Sequence, residues 1–155
     1  MTGFGPRSGA GPGTERGTAL VEFTWLAVLL MVPLLYIVLA VFAVQRSAYG
    51  VSAAAQAAGR AFVLSPSEAE ARQRAVAAAR VAMLDQHLEL DRLHITLTCE
   101  PDPANCLAPG ETVAVSVSYP VPLPLVPRAL GGNTPSILVQ SVHRAPYGLY
   151  RQDRP

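Results

Sequence analysis

The sequence predicts an α+β protein in which a long apolar transmembrane helix comes first, a second helix follows, and a small antiparallel sheet completes the chain. Of the 155 residues, 50% are hydrophobic and only 15% are charged, whereas an average soluble domain is roughly 25% charged. One uncharged run near the N-terminal end accounts for much of this difference. After about residue 90 the hydrophobic pattern changes from helical spacing to alternation, which indicates strands.

The uncharged run extends from Phe23 to Val44. As a helix it spans roughly 33 Å, and the hydrocarbon layer of a bilayer is about 30 Å thick. Pro33 lies in the middle of the run, where a transmembrane helix tolerates proline better than a soluble helix does. We therefore predict that the chain crosses a membrane once.

Three segments follow from this assignment. Residues 1–17 are rich in glycine and proline, and we expect a disordered leader. Residues 18–64 form the transmembrane and alanine-rich helix, and residues 65–155 form a domain outside the membrane, which is too small for a large catalytic fold. Arg7 and Arg16 precede the apolar run, so the positive-inside rule favours a cytoplasmic N-terminus.

A single carboxylate, Glu22, lies at the beginning of the apolar run. A charged group at the edge of the hydrocarbon layer is costly unless it is paired, so we expect Glu22 to have a function. Two interpretations remain open. Glu22 either pairs with a positive group of another subunit, or it extends to the lipid headgroups from the end of the helix.

The residues around Glu22 form the string Arg16-Gly17-Thr18-Ala19-Leu20-Val21-Glu22-Phe23. This string resembles the processing site of prepilins, specifically that of the TadE-like minor pseudopilins of tight-adherence (Flp, type IV-like) pilus systems. In that family a peptidase cuts after a glycine, and a glutamate, often followed by an aromatic residue, lies five residues into the mature chain. The resemblance covers residues 16–63, because it continues through the proline of the span and the alanine-rich stretch.

The resemblance implies that prepilin peptidase removes residues 1–17 by cutting between Gly17 and Thr18. The apolar helix then stays on the mature protein, and Thr18 carries a new ammonium group. Glu22, next to the aromatic Phe23, would pair with the N-terminus of a neighbouring subunit during assembly. The implied partners are the membrane, the peptidase, other pilin or pseudopilin subunits and the pilus assembly platform.

The resemblance also implies a pilin-like fold and a location. The protein would be a single-pass protein of the bacterial plasma membrane, possessing an extracytoplasmic C-terminal domain and associating with a pilus. Secretory cleavage near Val41, Phe42 and Ala43 is the competing hypothesis, because small residues occur where signal peptidase would cut. The apolar run is longer than the roughly 7–15 residue core of a signal peptide, which favours a retained helix.

Two helices are predicted before the sheet. The first should continue beyond the membrane, because residues 45–62 contain many alanines. These small residues either pack against a partner helix or simply favour helix formation. Ser65, Pro66 and Glu68 match a helix start with a serine cap, and the second helix is predicted over residues 66–90.

Alternating apolar and polar residues predict strands at residues 93–99 and 113–119, which should pair, and a third strand at residues 136–143. Pro120, Pro122, Pro124 and Pro127 interrupt the next stretch, so residues 121–126 are expected to be an extended edge or a loop. The tail from residue 145 to residue 155 is expected to be loosely held.

Cys99 and Cys106 are the only cysteines, and they bound a turn-rich connection between the first two predicted strands. In an oxidising compartment they should form a disulfide that closes this loop. A metal site is the alternative. It is disfavoured because two cysteines without a nearby pair of histidines do not complete a four-ligand zinc set.

No catalytic, cofactor-binding or metal-binding residues are predicted, and no cofactor is expected. His87, His94 and His143 lack an adjacent signature and are interpreted as structural or surface residues. Acidic residues near the end of the second helix lack the spacing of a calcium loop. Nucleic acid is not an expected partner, because the net charge is only +1 and phosphate binding requires a clustered basic face.

These features predict a minor pilin or pseudopilin without enzymatic activity, taking part in the assembly of a tight-adherence pilus or a related secretion machinery. The alternative is a single-pass, membrane-tethered module for extracytoplasmic binding or sensing. Glu22 discriminates between the two functions. A tether should tolerate Glu22→Ala, whereas a pilin should lose assembly.

Overall fold

The computed structural model describes residues 15–123 and 135–154, with side chains from residue 19 onward. The chain divides into two compact units, Met1–Val38 and Leu39–Pro155, which are described separately. The elements in chain order are α1 (Glu15–Val63), α2 (Glu68–Asp85), a 3-10 turn (Leu90–Arg92), β1 (His94–Glu100), β2 (Thr112–Pro122) and β3 (Ser136–Pro146). The predicted α+β order is confirmed, and the sheet is antiparallel with the order β1-β2-β3.

Predictions for residues 1–14 and 124–134 lie outside the described residues. They include most of the expected disordered leader, Arg7, and the end of the proline-rich segment. Residues 15–17, which we assigned to the leader, have helical backbone because α1 begins at Glu15.

The second half of α1 supplies one wall of the core. From Val51 onward its buried residues recur every three or four positions, which is the spacing of one helix face. They are Val51, Ala54, Ala55, Ala58 and Phe62. α2 contributes a similar face with Ala71, Ala75, Ala79 and Met83. The alanine-rich stretch at residues 45–62, which we predicted either to pack or simply to favour a helix, therefore contributes buried alanines to the core.

The boundaries of α2 differ from the predicted range 66–90. Its cap is Ser67, whose Oγ accepts a hydrogen bond from the Glu70 N–H at 3.5 Å. Ser65, the predicted cap, instead donates its hydroxyl to the Ala61 carbonyl at 2.7 Å. The prediction of the cap was wrong because two serines flank Pro66, and either could be assigned to a helix start from the sequence.

α2 ends at Asp85, five residues before the predicted end at Leu90. The Leu88 N–H donates to the Met83 carbonyl at 3.1 Å, and the His87 N–H donates to the Leu84 carbonyl at 2.8 Å. This pair of bonds is the Schellman motif, which requires a left-handed residue after the helix. His87 fills that position with a φ of 55°.

β2 lies between β1 and β3 and turns its valines toward the helices. Val113, Val115 and Val117 are fully buried, whereas Ala114 and Ser116 between them are smaller and less completely buried. β2 also includes Pro120 and Pro122, which we predicted to lie in an edge or loop. β1 begins at His94, opposite Ser118, so both prolines lie outside the part of β2 that β1 covers and pair only with β3. The two prolines thus occupy a local edge of the sheet.

The C-terminal tail is held down, and the prediction of a loose tail is wrong up to Arg154. Tyr147 is buried, and its hydroxyl donates to the Gln152 carbonyl at 2.7 Å. The Arg151 guanidinium donates to the Val63 carbonyl, and Arg154 Nη1 donates to the Ser65 carbonyl at 3.0 Å. Both arginines therefore satisfy backbone carbonyls at and just after the end of α1.

Candidate functional site

The N-terminal part of α1 is an apolar helix with exposed side chains. From Ala19 onward α1 is long and apolar enough to cross a membrane, and its most apolar part is not buried within the protein. Phe23 is 74% exposed. The other large exposed side chains of this segment include Leu20, Trp25, Leu29, Leu30 and Leu35. A soluble protein rarely leaves so large an apolar surface uncovered, which supports a membrane environment.

Glu22 is the only charged residue between Ala19 and Gln45. Its side chain is exposed on the same apolar helix. No cationic side chain among the described residues lies within 4.0 Å of its carboxylate. Two residues further along, the Thr24 hydroxyl donates to the Leu20 carbonyl at 2.8 Å, so this polar group is satisfied within the helix.

Gly17 and Thr18, the candidate processing site, lie in the first turns of α1. Thr18 precedes Glu22 by four residues, so their backbones are one helical turn, or about 6 Å, apart along the axis. Residues four apart lie on the same side of a helix. A new N-terminus at Thr18 would therefore begin on the side of α1 that carries Glu22.

The predicted disulfide between Cys99 and Cys106 is confirmed, and the alternative of a metal bound by these two thiols is therefore wrong. Cys99 is on β1, and both cysteines are buried. The loop between β1 and β2 is organised further by Glu111, a buried carboxylate that accepts the Asp102 N–H at 3.2 Å. Asp102 in turn accepts the Ala104 N–H at 2.9 Å. The disulfide and these hydrogen bonds hold the loop in shape, so its residues have a structural role.

The three histidines do not come together. His94 is exposed on β1, and His143 is half-buried on β3 beside Gly59. His87 follows α2. Within residues 15–123 and 135–154, no group of three or more His, Cys, Asp or Glu side chains is arranged to hold a metal ion.

A cleft that the sequence did not reveal lies within the unit Leu39–Pro155. We call it the Arg46 cleft, and its volume is about 250 Å³. α1, the turn after α2, the 3-10 turn and the end of β2 all contribute to its wall. The residues that line it include Arg46, His87, Leu88, Glu89, Arg92 and Val121.

The Arg46 cleft was missed because its basic residues are far apart in the chain. In the sequence, Arg46 is only a charge after the apolar run, and Arg92 is only a charge before a strand. Helical periodicity extended α2 past His87, which hid the turn that brings His87 and Leu88 to the cleft. Neither glycine nor asparagine, the usual residues after the end of a helix, marks this turn, so the sequence held no clear signal for it.

The structure brings together the two cysteines, and the other predicted site residues belong to the other unit of the chain. Gly17, Thr18, Glu22 and Phe23 belong to the unit Met1–Val38, and the disulfide belongs to the unit Leu39–Pro155. Comparisons of the chain with protein-family models, with curated proteins and with solved structures gave no match. The resemblance to TadE-like prepilins therefore depends on the residues of the N-terminal segment alone.

Proposed function

We propose that this protein is a TadE-like minor pilin or pseudopilin that takes part in assembling a tight-adherence pilus or a related secretion machinery. The observation that carries the proposal is Glu22, a lone exposed carboxylate on an apolar helix. α1 begins before this residue and continues without interruption to Val63, in the domain core. A helix of this kind supports a subunit that assembles through its apolar N-terminal segment.

The proposed chemistry is the pairing of two charges in a medium of low dielectric constant. Cleavage before Thr18 would create an α-amino group, which ordinarily has a pKa of about 8 and is positively charged at neutral pH. Glu22 of a neighbouring subunit would supply the negative charge. Leaving either charge unpaired in an apolar bundle is costly, so the pair would fix the axial register of adjacent helices.

The domain outside the membrane supports the proposal by offering a surface for other subunits. The face of the sheet that points away from the core carries small polar residues of β1 and β2. On β3 the same face adds Leu138 and Val142, which are 64% and 50% exposed. Such a mixed surface suits contacts with further pilus components.

Processing is tested by intact-mass and N-terminal analysis of the protein from native membranes, with and without the peptidase. We expect a mature chain that begins at Thr18 and keeps the apolar helix, and we expect Gly17→Leu to stay uncut. An uncut wild-type chain would favour a tether. A chain that begins near Val44 would mean an ordinary secreted domain.

Assembly is tested with Glu22→Ala and Glu22→Gln, both of which remove the charge. We expect processing to persist and the amount of protein crosslinked to other pilus subunits to fall by at least about tenfold, because an uncompensated charge is left on the neighbour. Thr24→Ala is the matched control, because Thr24 is exposed on the same helix and bonds only within it. Normal assembly of Glu22→Ala would contradict the pilin proposal.

A second candidate function is a membrane-tethered module for binding. The Arg46 cleft favours it, because a cleft with charged walls in so small a domain is a feature that a purely structural subunit does not need. The Glu22 variants separate the two functions, since a tether requires no charge within its anchor.

A further inference from the structure

The Arg46 cleft begins where the apolar run of α1 ends. Arg46 follows Val44, the last residue of that run, by two positions, which is a rise of about 3 Å along a helix. The phosphate groups of a bilayer lie just outside its hydrocarbon layer. If the run crosses the membrane, Arg46 therefore meets the level of the lipid phosphates.

The cleft carries two guanidinium groups, those of Arg46 and Arg92, and one carboxylate, that of Glu89. Arg46 has no carboxylate within 4.0 Å among the residues that the structure describes. Arg92 is partly compensated by Glu89 at 3.5 Å and by Asp91 at 3.8 Å, and its side chain is 41% exposed. A guanidinium has five N–H donors and binds phosphate oxygens in pairs, so Arg46 retains its full capacity for a phosphate.

His87 also lines the cleft. The Schellman turn that ends α2 places it there, with a left-handed backbone of φ 55°. The imidazole donates an N–H in either tautomer, so it offers the cleft a further hydrogen-bond donor.

We propose that the Arg46 cleft binds the phosphate group of an anionic phospholipid from the leaflet next to the C-terminal end of the apolar run. The volume of about 250 Å³ corresponds to roughly eight water molecules, which accommodates a phosphodiester and a small polar head. Leu88 and Val121 give the cleft a buried apolar floor beside the basic groups. The proposal requires the membrane span and is independent of the pilin function.

The test measures lipid binding to the full chain, purified and delipidated in an uncharged detergent. Phosphatidylglycerol and phosphatidylcholine with identical acyl chains are titrated separately, and native mass spectrometry counts the retained lipids. We expect tighter binding of phosphatidylglycerol, and we expect Arg46→Gln to weaken it about tenfold through loss of a charge-assisted contact. Arg46→Lys should lose less. The matched control is Arg80→Gln, which removes an exposed arginine of α2 outside the cleft.

His87→Gly separates binding from folding. Glycine fits the left-handed backbone, so the variant should unfold a few degrees higher than the wild type while it binds phosphatidylglycerol more weakly. Equal binding of the two lipids, or an equal effect of Arg46→Gln and Arg80→Gln, would overturn the proposal. Displacement of the lipid by inorganic phosphate at similar concentration would also overturn it, because the cleft would then be a site for free phosphate.

Discussion

Gly59 makes room in α1 for a side chain of the sheet. A Cβ atom at this position would lie 2.9 Å from His143 Cδ2 and 3.3 Å from Ala145 Cβ. Glycine weakens a helix by about 1 kcal/mol relative to alanine, so its use here reflects the space that the imidazole occupies. The close approach allows α1 and β3 to pack around a half-buried histidine.

We expect Gly59→Ala to lower the free energy of unfolding by about 1 kcal/mol, because the clash with His143 outweighs the gain in helix propensity. Thermal unfolding of the full chain in detergent micelles measures this change. Adding His143→Ala should relieve the clash. The double variant should therefore have a higher free energy of unfolding than the two single changes would give if their effects were additive. A Gly59→Ala protein more stable than the wild type would show that helix propensity dominates.

The role of His143 could not be predicted from the sequence, because β3 lacks clean alternation. Its helix-facing positions include Ser141 and His143, while Leu138 and Val142 face outward. Apolar residues occur on both faces of β3, so hydrophobicity does not mark His143 as a residue that faces the helices. By contrast, Glu22 and the two cysteines could be identified from the sequence. Glu22 is a lone charge at the beginning of an apolar run, and the cysteines bound a turn-rich connection.

At the scale of elements, the end of α1 shows a complete set of hydrogen bonds. The last four carbonyls of a helix lack partners within it, and here each one finds a donor. The Arg60 carbonyl accepts from the Leu64 N–H, and the Ala61 carbonyl accepts from the Ser65 hydroxyl. The Phe62 carbonyl accepts from the Ser65 N–H, and the Val63 carbonyl accepts from the Arg151 guanidinium. The C-terminal tail therefore completes a helix that begins at the other end of the chain.

We expect Arg154→Ala to destabilise the domain by about 1 kcal/mol, because the Ser65 carbonyl loses a charged donor. Hydrogen exchange of the amides of Leu64 and Ser65 should become faster at the same time, since the tail no longer covers this end. Arg144→Ala, which removes an exposed arginine from the outer face of β3, is the control and should change neither quantity. Unchanged exchange in Arg154→Ala would mean that the tail does not support α1.

The loop between β1 and β2 is a second element with a testable contribution. Cys99 and Cys106 are seven residues apart, and a crosslink of this length stabilises a protein by about 2–3 kcal/mol through the unfolded state. We expect the double variant Cys99→Ala/Cys106→Ala to lose about this amount in denaturant unfolding. The reduced wild type should lose a similar amount. No change on reduction would show that the loop is held by its hydrogen bonds alone.

The elements show where prediction from sequence works and where it fails. α1 follows from the length of its uncharged run and from its alanines. α2, β1 and the valines of β2 follow from the period of apolar residues, and all of these are local properties. The end of α2 and the docking of the tail depend on contacts between distant residues, such as Arg154 with Ser65. No local pattern contains those contacts, so the tail could not be predicted to be ordered.

At the scale of the whole molecule, the chain combines an exposed apolar segment with a small domain that has its own core. Leu30 and Leu35 are 62% and 57% exposed in the unit Met1–Val38. In the unit Leu39–Pro155, valines and alanines are buried against one another. The first unit is suited to a membrane, and the second unit holds the core of a folded domain.

We expect the full chain to resist extraction from membranes by alkaline carbonate. The double variant Leu30→Arg/Leu35→Arg should be released, because each arginine near the centre of a span costs roughly 3 kcal/mol. Val81→Arg/Leu84→Arg is the matched control, since these two residues are similarly exposed on α2. Retention of the Leu30→Arg/Leu35→Arg protein would argue against a membrane span.

The anchoring of the tail also sets the order in which the chain can fold during synthesis. Arg154 contacts Ser65, a residue made 89 positions earlier, so α1 emerges from the ribosome long before the tail that covers its end. The apolar segment can therefore enter a membrane early, while the far end of the same helix stays open until Arg154 has also emerged.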